Sequence, residues 1–320
     1  MILLGINAYH GDASAVLLRD GRLIYACEEE RLNRIKHSAG LPKQALKSCL
    51  EKAGISAEAI DYAAVSRNPW ANFWPKLEFV LRNRPSLSFL KDRLRVAFNS
   101  GKICLRHPEP ACRQAGGEGS RILRPSAKQP FRVGPQDDGG KSKTQRVEHH
   151  ISHAASAFYP SGFESAALLT VDGFGDFSST MFGMGEGNKI KVLKRVLFPH
   201  SLGALYTAAT QYLGFLKYGD EYKVMGLAGY GEPRFLKELR QLIRLETDGT
   251  FKLNSDYFAH SKGGAEMTWE EGEPVLGIAY SQKWDELFGS SRHPENPITR
   301  RDMDLAASIQ AIFEETFFHL

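Results

Sequence analysis

Residues 2–24 read ILLGINAYHGDASAVLLRDGRLI, and residues 166–192 read AALLTVDGFGDFSSTMFGMGEGNKIKV. Each stretch runs as an apolar strand, a tight polar turn, a second apolar strand, a short hairpin turn and a third strand, with Asp20-Gly21 as the first hairpin. Gly11-Asp12-Ala13-Ser14 in the first stretch falls where Gly175-Asp176-Phe177-Ser178 falls in the second. Two three-stranded starts, each followed by helix-rich sequence, predict a duplicated α/β architecture rather than one continuous sheet. In such a fold the two polar first turns face each other across a cleft.

Working outward, Pro42 opens an amphipathic helix over PKQALKSCLEKAG that Gly54 stops. EAIDYAAVSRNPW then reads as a strand entering a loop, and residues 73–99 as one or two helices broken at Pro85. Near the end, DMDLAASIQAIFEETFFHL sets Met303, Ala306, Ile309, Ile312, Phe313 and Phe317 on one helical face with no strand after them. The expected organisation is a first half over 1–162 and an incomplete, truncated second half over 163–320.

The chain has 320 residues, 42% hydrophobic and 24% charged, an ordinary composition for an enzyme. The N-terminus has no basic, apolar leader pattern, and no run approaches the roughly 20 apolar residues of a membrane-spanning helix. A cytoplasmic protein without membrane contact is expected. The four cysteines are scattered without a CxxC, as a reducing compartment tolerates. Between Gly101 and Val147 ten Lys or Arg stand against four acids, so the net positive charge of the chain belongs to that segment alone. Residues 101–146 are rich in Pro and Gly, lack an apolar period and read as a disordered or irregular insertion. Phe131 is their single aromatic, too little for stacking nucleic-acid bases, so no nucleic-acid partner is expected. Cys104, His107 and Cys112 have a loose ligand spacing but lack a fourth partner.

VEHHISHAASAFYP, residues 147–160, puts three histidines in five positions ahead of small residues that favour a helix packed closely on a sheet. On a helix His149 and His153 lie i and i+4, their Cβ atoms about 6 Å apart on one face. His150, at i+3 from His153, competes with His149 for that role. The strand AALLTV follows and ends at Asp172, where α/β folds place their chemistry. Two imidazoles and one carboxylate form a set suited to Fe(II) or Zn rather than Mg. A metallopeptidase would need the Glu of HExxH, whereas positions 149–153 read HHISH.

GINAYHGDASAVLLRDG, CEEERLNRIKHSAGLP, VEHHISHAASAFYPSGF, TVDGFGDFSST, SLGALYTAATQYLGF and GDEYKVMGLAGYGEP, in this order, resemble the N-terminal part of the NodU/CmcH carbamoyltransferases. The resemblance implies the duplicated actin/hexokinase-like (ASKHA) fold, shared with the Kae1-like proteins that modify tRNA. It further implies an ATP-dependent enzyme that makes carbamoyl-adenylate from carbamoyl phosphate and ATP, then passes the carbamoyl group to a hydroxyl of a small-molecule acceptor. Within it, His149, His153 and Asp172 would hold a divalent metal, Fe(II) or alternatively Zn, and His10 would act as general base on the acceptor hydroxyl. Asp12, Ser14, Gly173 and Gly175 would shape the phosphate-facing turns, and Arg31, Lys36 and Lys223 would contact the anion or substrate. The family's Gly-rich nucleotide motif, a fourth metal-ligand aspartate and a YrdC-like domain that handles carbamoyl phosphate have no counterpart in these residues. The alternatives are a fragment that is inert or only binds metal, and a Kae1-like tRNA-modification protein.

Overall fold

Side-chain alternation decides the first sheet. In Ile2–Asn7 (β1) Leu4 and Ile6 are buried, and in Ser14–Arg19 (β2) Ala15 and Leu17 are buried. Asp20 and Gly21, both at positive φ, turn the chain into Arg22–Glu28 (β3). A computed structural model describes residues 1–83, 144–263, 267–270 and 272–320. It completes the first sheet with Tyr62–Val65 (β4) and Thr144–Arg146 (β5), in the order β3-β2-β1-β4-β5. The β1/β2 and β2/β3 pairs are antiparallel; β1/β4 and β4/β5 are parallel. The helix Lys43–Ala53 connects β3 to the parallel strand β4 and lays Ala45, Leu46, Cys49 and Leu50 on the sheet, and Gly54 ends it at φ 62°.

β5 corrects the expected extent of the irregular segment. Residues 144–146 belong to the sheet, as Ala63, Ala64 and Val65 of β4 pair with Thr144, Gln145 and Arg146. The rest of that segment, with Cys104, His107 and Cys112, lies outside the described residues, as does the expected break at Pro85. The helix before it runs Phe73–Asn83.

The second meander comprises Ser165–Gly175 (β6), Ser178–Glu186 (β7) and Lys189–Leu197 (β8), antiparallel in the order β6-β7-β8. Asp12 and Asp176, at matching places in the two Gly-Asp turns, have φ 60° and 50°, but Phe177 after the second is also at positive φ, 73°, and Ala13 after the first is not. The helix His149–Phe158 packs on this sheet through Ala154 and Phe158 against Leu168 and Met181. Glycine is required at 185, where a Cβ would stand 2.6 Å from Cζ of Phe158.

The other core joins Leu202–Tyr212 to the helix Arg300–His319 through Leu202, Leu205, Leu305, Ala306, Ile309 and Ile312. Thr299 and Asp302 form a reciprocal capping box at the start of the last helix. Its buried face differs at its end from the sequence expectation: Leu305 is buried, and Phe317 is 37% exposed. Among the described residues no helix is long and apolar enough to cross a membrane.

His200, after β8, accepts the Leu253 N–H on Nδ1 at 3.1 Å. Burial, then the Lys252 and His260 charges, push its pKa down to about 4. The unfolded chain therefore takes up a proton near pH 6.5 that the folded chain refuses until about pH 4. Stability present above pH 6.5 is lost as pH falls through this window, by about 2 kcal/mol after discounting for solvent screening. Denaturant titrations at pH 7 and pH 4.5 should show this loss, and His200→Asn should reduce it; an identical pH dependence in the variant would contradict the assignment.

Candidate metal centre

The helix starting at His149 needs a partner for its first N–H, and Glu148 at the N-cap gives no side-chain bond. Asp176, from the second meander turn, supplies it: its Oδ2 accepts from the His149 N–H at 3.0 Å and from the Asn68 N–H at 2.7 Å. The Asn72 side-chain amide donates to the Asp176 carbonyl at 2.9 Å. One turn thus joins the loop after β4, the histidine helix and the β6–β7 corner.

Asp172 is aimed by a break in pairing. Val171 pairs with Thr180, but the next pair is Gly175 with Ser178, so Asp172, Gly173 and Phe174 bulge from the β6 ladder. The bulge turns the Asp172 carboxylate toward the helix. Its Oδ2 lies 2.6 Å from Nε2 of His149 and 3.4 Å from Nε2 of His153, and the two Nε2 atoms are 3.0 Å apart. Tetrahedral bonds of about 2.05 Å require ligand atoms about 3.3 Å apart, so the three atoms stand near coordination spacing. The His149 ring also bonds the Ser66 backbone carbonyl, which fixes Nε2 toward the cluster as in many metal-bound histidines. Its position depends on Gly175, where a Cβ would overlap Cδ2 and Cγ of the imidazole.

The charges agree with this geometry. Burial alone would lower the His149 pKa; the Asp172 hydrogen bond and charge, with Asp176 and the Ser66 carbonyl, overcome it and raise the value. Burial alone would raise Asp172, but hydrogen bonds from His149 and His153 carry it well below the usual carboxylate range. Asp176 is raised, by burial, even though the N–H groups of Asn68 and His149 favour its charged form. His150 resolves the competition among the three histidines: it is fully buried, with Nδ1 2.7 Å from the Thr170 hydroxyl, while His149 and His153 meet Asp172.

His10 lies beside the cluster, its ring 5.4 Å from that of His149 and nearly perpendicular. Nδ1 is 3.0 Å from the Gly11 carbonyl, which can only accept, so Nδ1 carries the proton and Nε2 holds the lone pair. That Nε2 is buried without a hydrogen-bond partner. Burial, then the His149 charge, lower the His10 pKa to about 4, so the ring is neutral at pH 7.

The remaining expected residues fall at differing distances from this centre. Asp12 Oδ1 is 2.8 Å from Nδ1 of His37, whose backbone N–H donates to Glu30. Ser14 opens β2 opposite Asn7, and Gly173 donates its N–H to Asp172 Oδ1 at 2.6 Å. Arg31 is largely exposed and pairs with Glu28 at 3.1 Å. Lys36 and Lys223 both reach the Tyr222 ring, and Lys223 pairs with Asp220 at 2.7 Å. Three groups at the centre escaped the sequence reading. Asp176 acts through its carboxylate. Arg67 donates to the Tyr9 carbonyl at 3.2 Å and feels the Asp176 charge. Lys76 donates to the Pro69 and Ala71 carbonyls at 2.9 and 2.6 Å.

The family described as Carbamoyltransferase N-terminus matches residues 2–84 and 138–320, and the chain belongs to this family. The match omits 85–137, most of the basic segment. An uncharacterised protein of Synechocystis is 38% identical over 323 residues, 99% of this chain and 47% of that protein. Nodulation protein NolNO of Sinorhizobium fredii is 34% identical over 315 residues, 98% of this chain and 38% of that protein. The chain therefore spans less than half the length of these curated relatives. Among solved structures, YeaZ from Pseudomonas aeruginosa aligns with 62% of this chain and 69% of its own at 15% identity and a TM-score of 0.27.

Proposed function

We propose that this chain is the N-terminal part of an ATP-dependent O-carbamoyltransferase, with the two meanders as the starts of two ASKHA halves. Its reaction is formation of carbamoyl-adenylate from ATP, carbamoyl phosphate and water, with release of pyrophosphate and phosphate, then transfer of the carbamoyl group to the hydroxyl of a small molecule. The observation that carries the reading is the convergence of His149, His153 and Asp172 beside an unpartnered, neutral His10 Nε2. The donor set fits Fe(II) or Zn, and such a cation would offset the charge of the substrate phosphate.

His10 Nε2 takes the proton of the acceptor hydroxyl as the new O–C bond forms at the carbamoyl carbon. The C–O bond to the phosphate breaks, and AMP leaves with that electron pair. Asp172 aligns His149 and His153, and Asp176 holds the helix that carries them. Substrates such as ATP and carbamoyl phosphate place the reaction in the cytoplasm. On this reading carbamoyl phosphate is handled by a YrdC-like domain outside these residues.

The test is AMP release that depends on both ATP and carbamoyl phosphate, assayed in this chain and in a polypeptide extended to its relatives' length. The extended protein is expected to release AMP, and His10→Ala to lower transfer about 100-fold or more. No AMP release from the extended protein would reject the transferase. Release that requires threonine, bicarbonate and tRNA would instead identify a Kae1-like tRNA-modification protein.

A further inference from the structure

The loop that joins Leu202–Tyr212 to the helix Glu221–Ala228 places a phenol on the first Gly-Asp turn. Tyr218 lies so close to Gly11 that a Cβ there would stand 2.8 Å from the hydroxyl oxygen and 3.0 Å from Cε1 and Cζ. Its ring meets the His37 ring edge-on at 5.3 Å, and His37 is itself held by Asp12 at 2.8 Å. Gly219 follows at φ 81°, where a Cβ would overlap Nε2 of His37. The turn is closed by Asp220, which accepts from the Lys217 N–H and pairs with Lys223. The ring is thus locked from several sides.

The hydroxyl itself is not used by the protein: among the described residues it has no hydrogen-bond partner. Burial, then the Asp12, Asp172 and Glu221 charges, push the phenol up to about 12. It therefore stays protonated at pH 7, and Gly11, on which it sits, directly follows His10, whose ring lies 5.4 Å from that of His149. A rigid, neutral donor with no internal acceptor, poised over a glycine backbone beside a cation-type ligand cluster, suits an anionic oxygen brought in by substrate.

We infer that Tyr218 is a substrate-binding residue whose hydroxyl donates a hydrogen bond to a phosphate oxygen held between the Gly11–Asp12 turn and the His149–His153–Asp172 cluster. The identity of that phosphate as part of ATP rests on the proposed transferase reading. A hydrogen bond to a charged oxygen is a large share of a phosphate contact, whereas removal of the hydroxyl alone leaves the packing of the ring on Gly11 and His37 intact.

The test is calorimetric titration of the zinc-loaded protein with ATP. Tyr218→Phe should weaken ATP binding about 10-fold or more with unchanged zinc content and melting temperature. Gly11→Ala, which displaces the phenol from its seat, should weaken it similarly with Tyr218 still present. ATP binding within about twofold of wild type in both variants would overturn the assignment, as would zinc loss in Tyr218→Phe, which would make the role structural. No detectable ATP binding by the wild type would overturn it as well. AMP release with Tyr218-independent ATP binding would sink this inference alone, and Tyr218-dependent binding without AMP release would sink the transferase alone.

Discussion

Asp172→Ala is expected to empty the proposed metal centre. Its Oδ2 is the atom that both imidazoles approach, and the His149 charge state depends on it first among its neighbours. Without the carboxylate, two imidazoles remain on one helix face, their Nε2 atoms 3.0 Å apart. Changing a residue that merely orients a metal ligand costs about 10–100-fold in affinity, so losing a ligand should cost at least the upper end of that range. Elemental analysis after anaerobic loading with Fe(II), and separately with Zn, should find one equivalent in wild type and well below it in the variant. One retained equivalent bound as tightly as in wild type would remove Asp172 from the centre.

The second large effect comes from one methyl group. Gly175→Ala puts a carbon into the space of the His149 ring, whose Cβ would be 2.7 Å away and whose ring carbons nearer still. His149 cannot retreat easily: its backbone N–H is held by Asp176 and its ring by Ser66 and Asp172. Overpacking of this kind costs about 3 kcal/mol or more, which should lower the melting temperature by roughly 5–10 °C and release the metal as well. Gly173→Ala is the control, since a Cβ there has open space within 4 Å and should change stability by less than about 1 kcal/mol. Equal melting temperatures for the two variants would show that the His149 ring does not sit against Gly175.

Residue periodicity made much of this arrangement legible. Apolar runs bounded by polar turns reported β1, β2 and β6, and the i, i+4 spacing of His149 and His153 reported their shared face because helical geometry leaves little choice. Asp172 could be placed at a strand end, but its aim could not, since the bulge exists only through the register between β6 and β7. β5 was hidden for a related reason: Thr144, Gln145 and Arg146 have no apolar pattern and become a strand only through β4. Asp176 and Tyr218 act across 108 and about 200 positions of sequence, distances at which no local pattern carries a signal. The histidine spacing left 149 and 150 as rivals. Thr170, across the helix–sheet contact, is what draws His150 aside.

Asp176 has a mechanical consequence. A single carboxylate oxygen receives N–H groups from both the segment after β4 and the histidine helix, while its own backbone belongs to the second meander. Any swing of one sheet against the other would pivot at that fastening, because translation there would strip two half-buried donors at once. A pivot moves least at its own axis and most at the end of the lever arm. Opening and shutting would thus sweep the far rims of the molecule widely while barely disturbing the spacing of His149, His153 and Asp172.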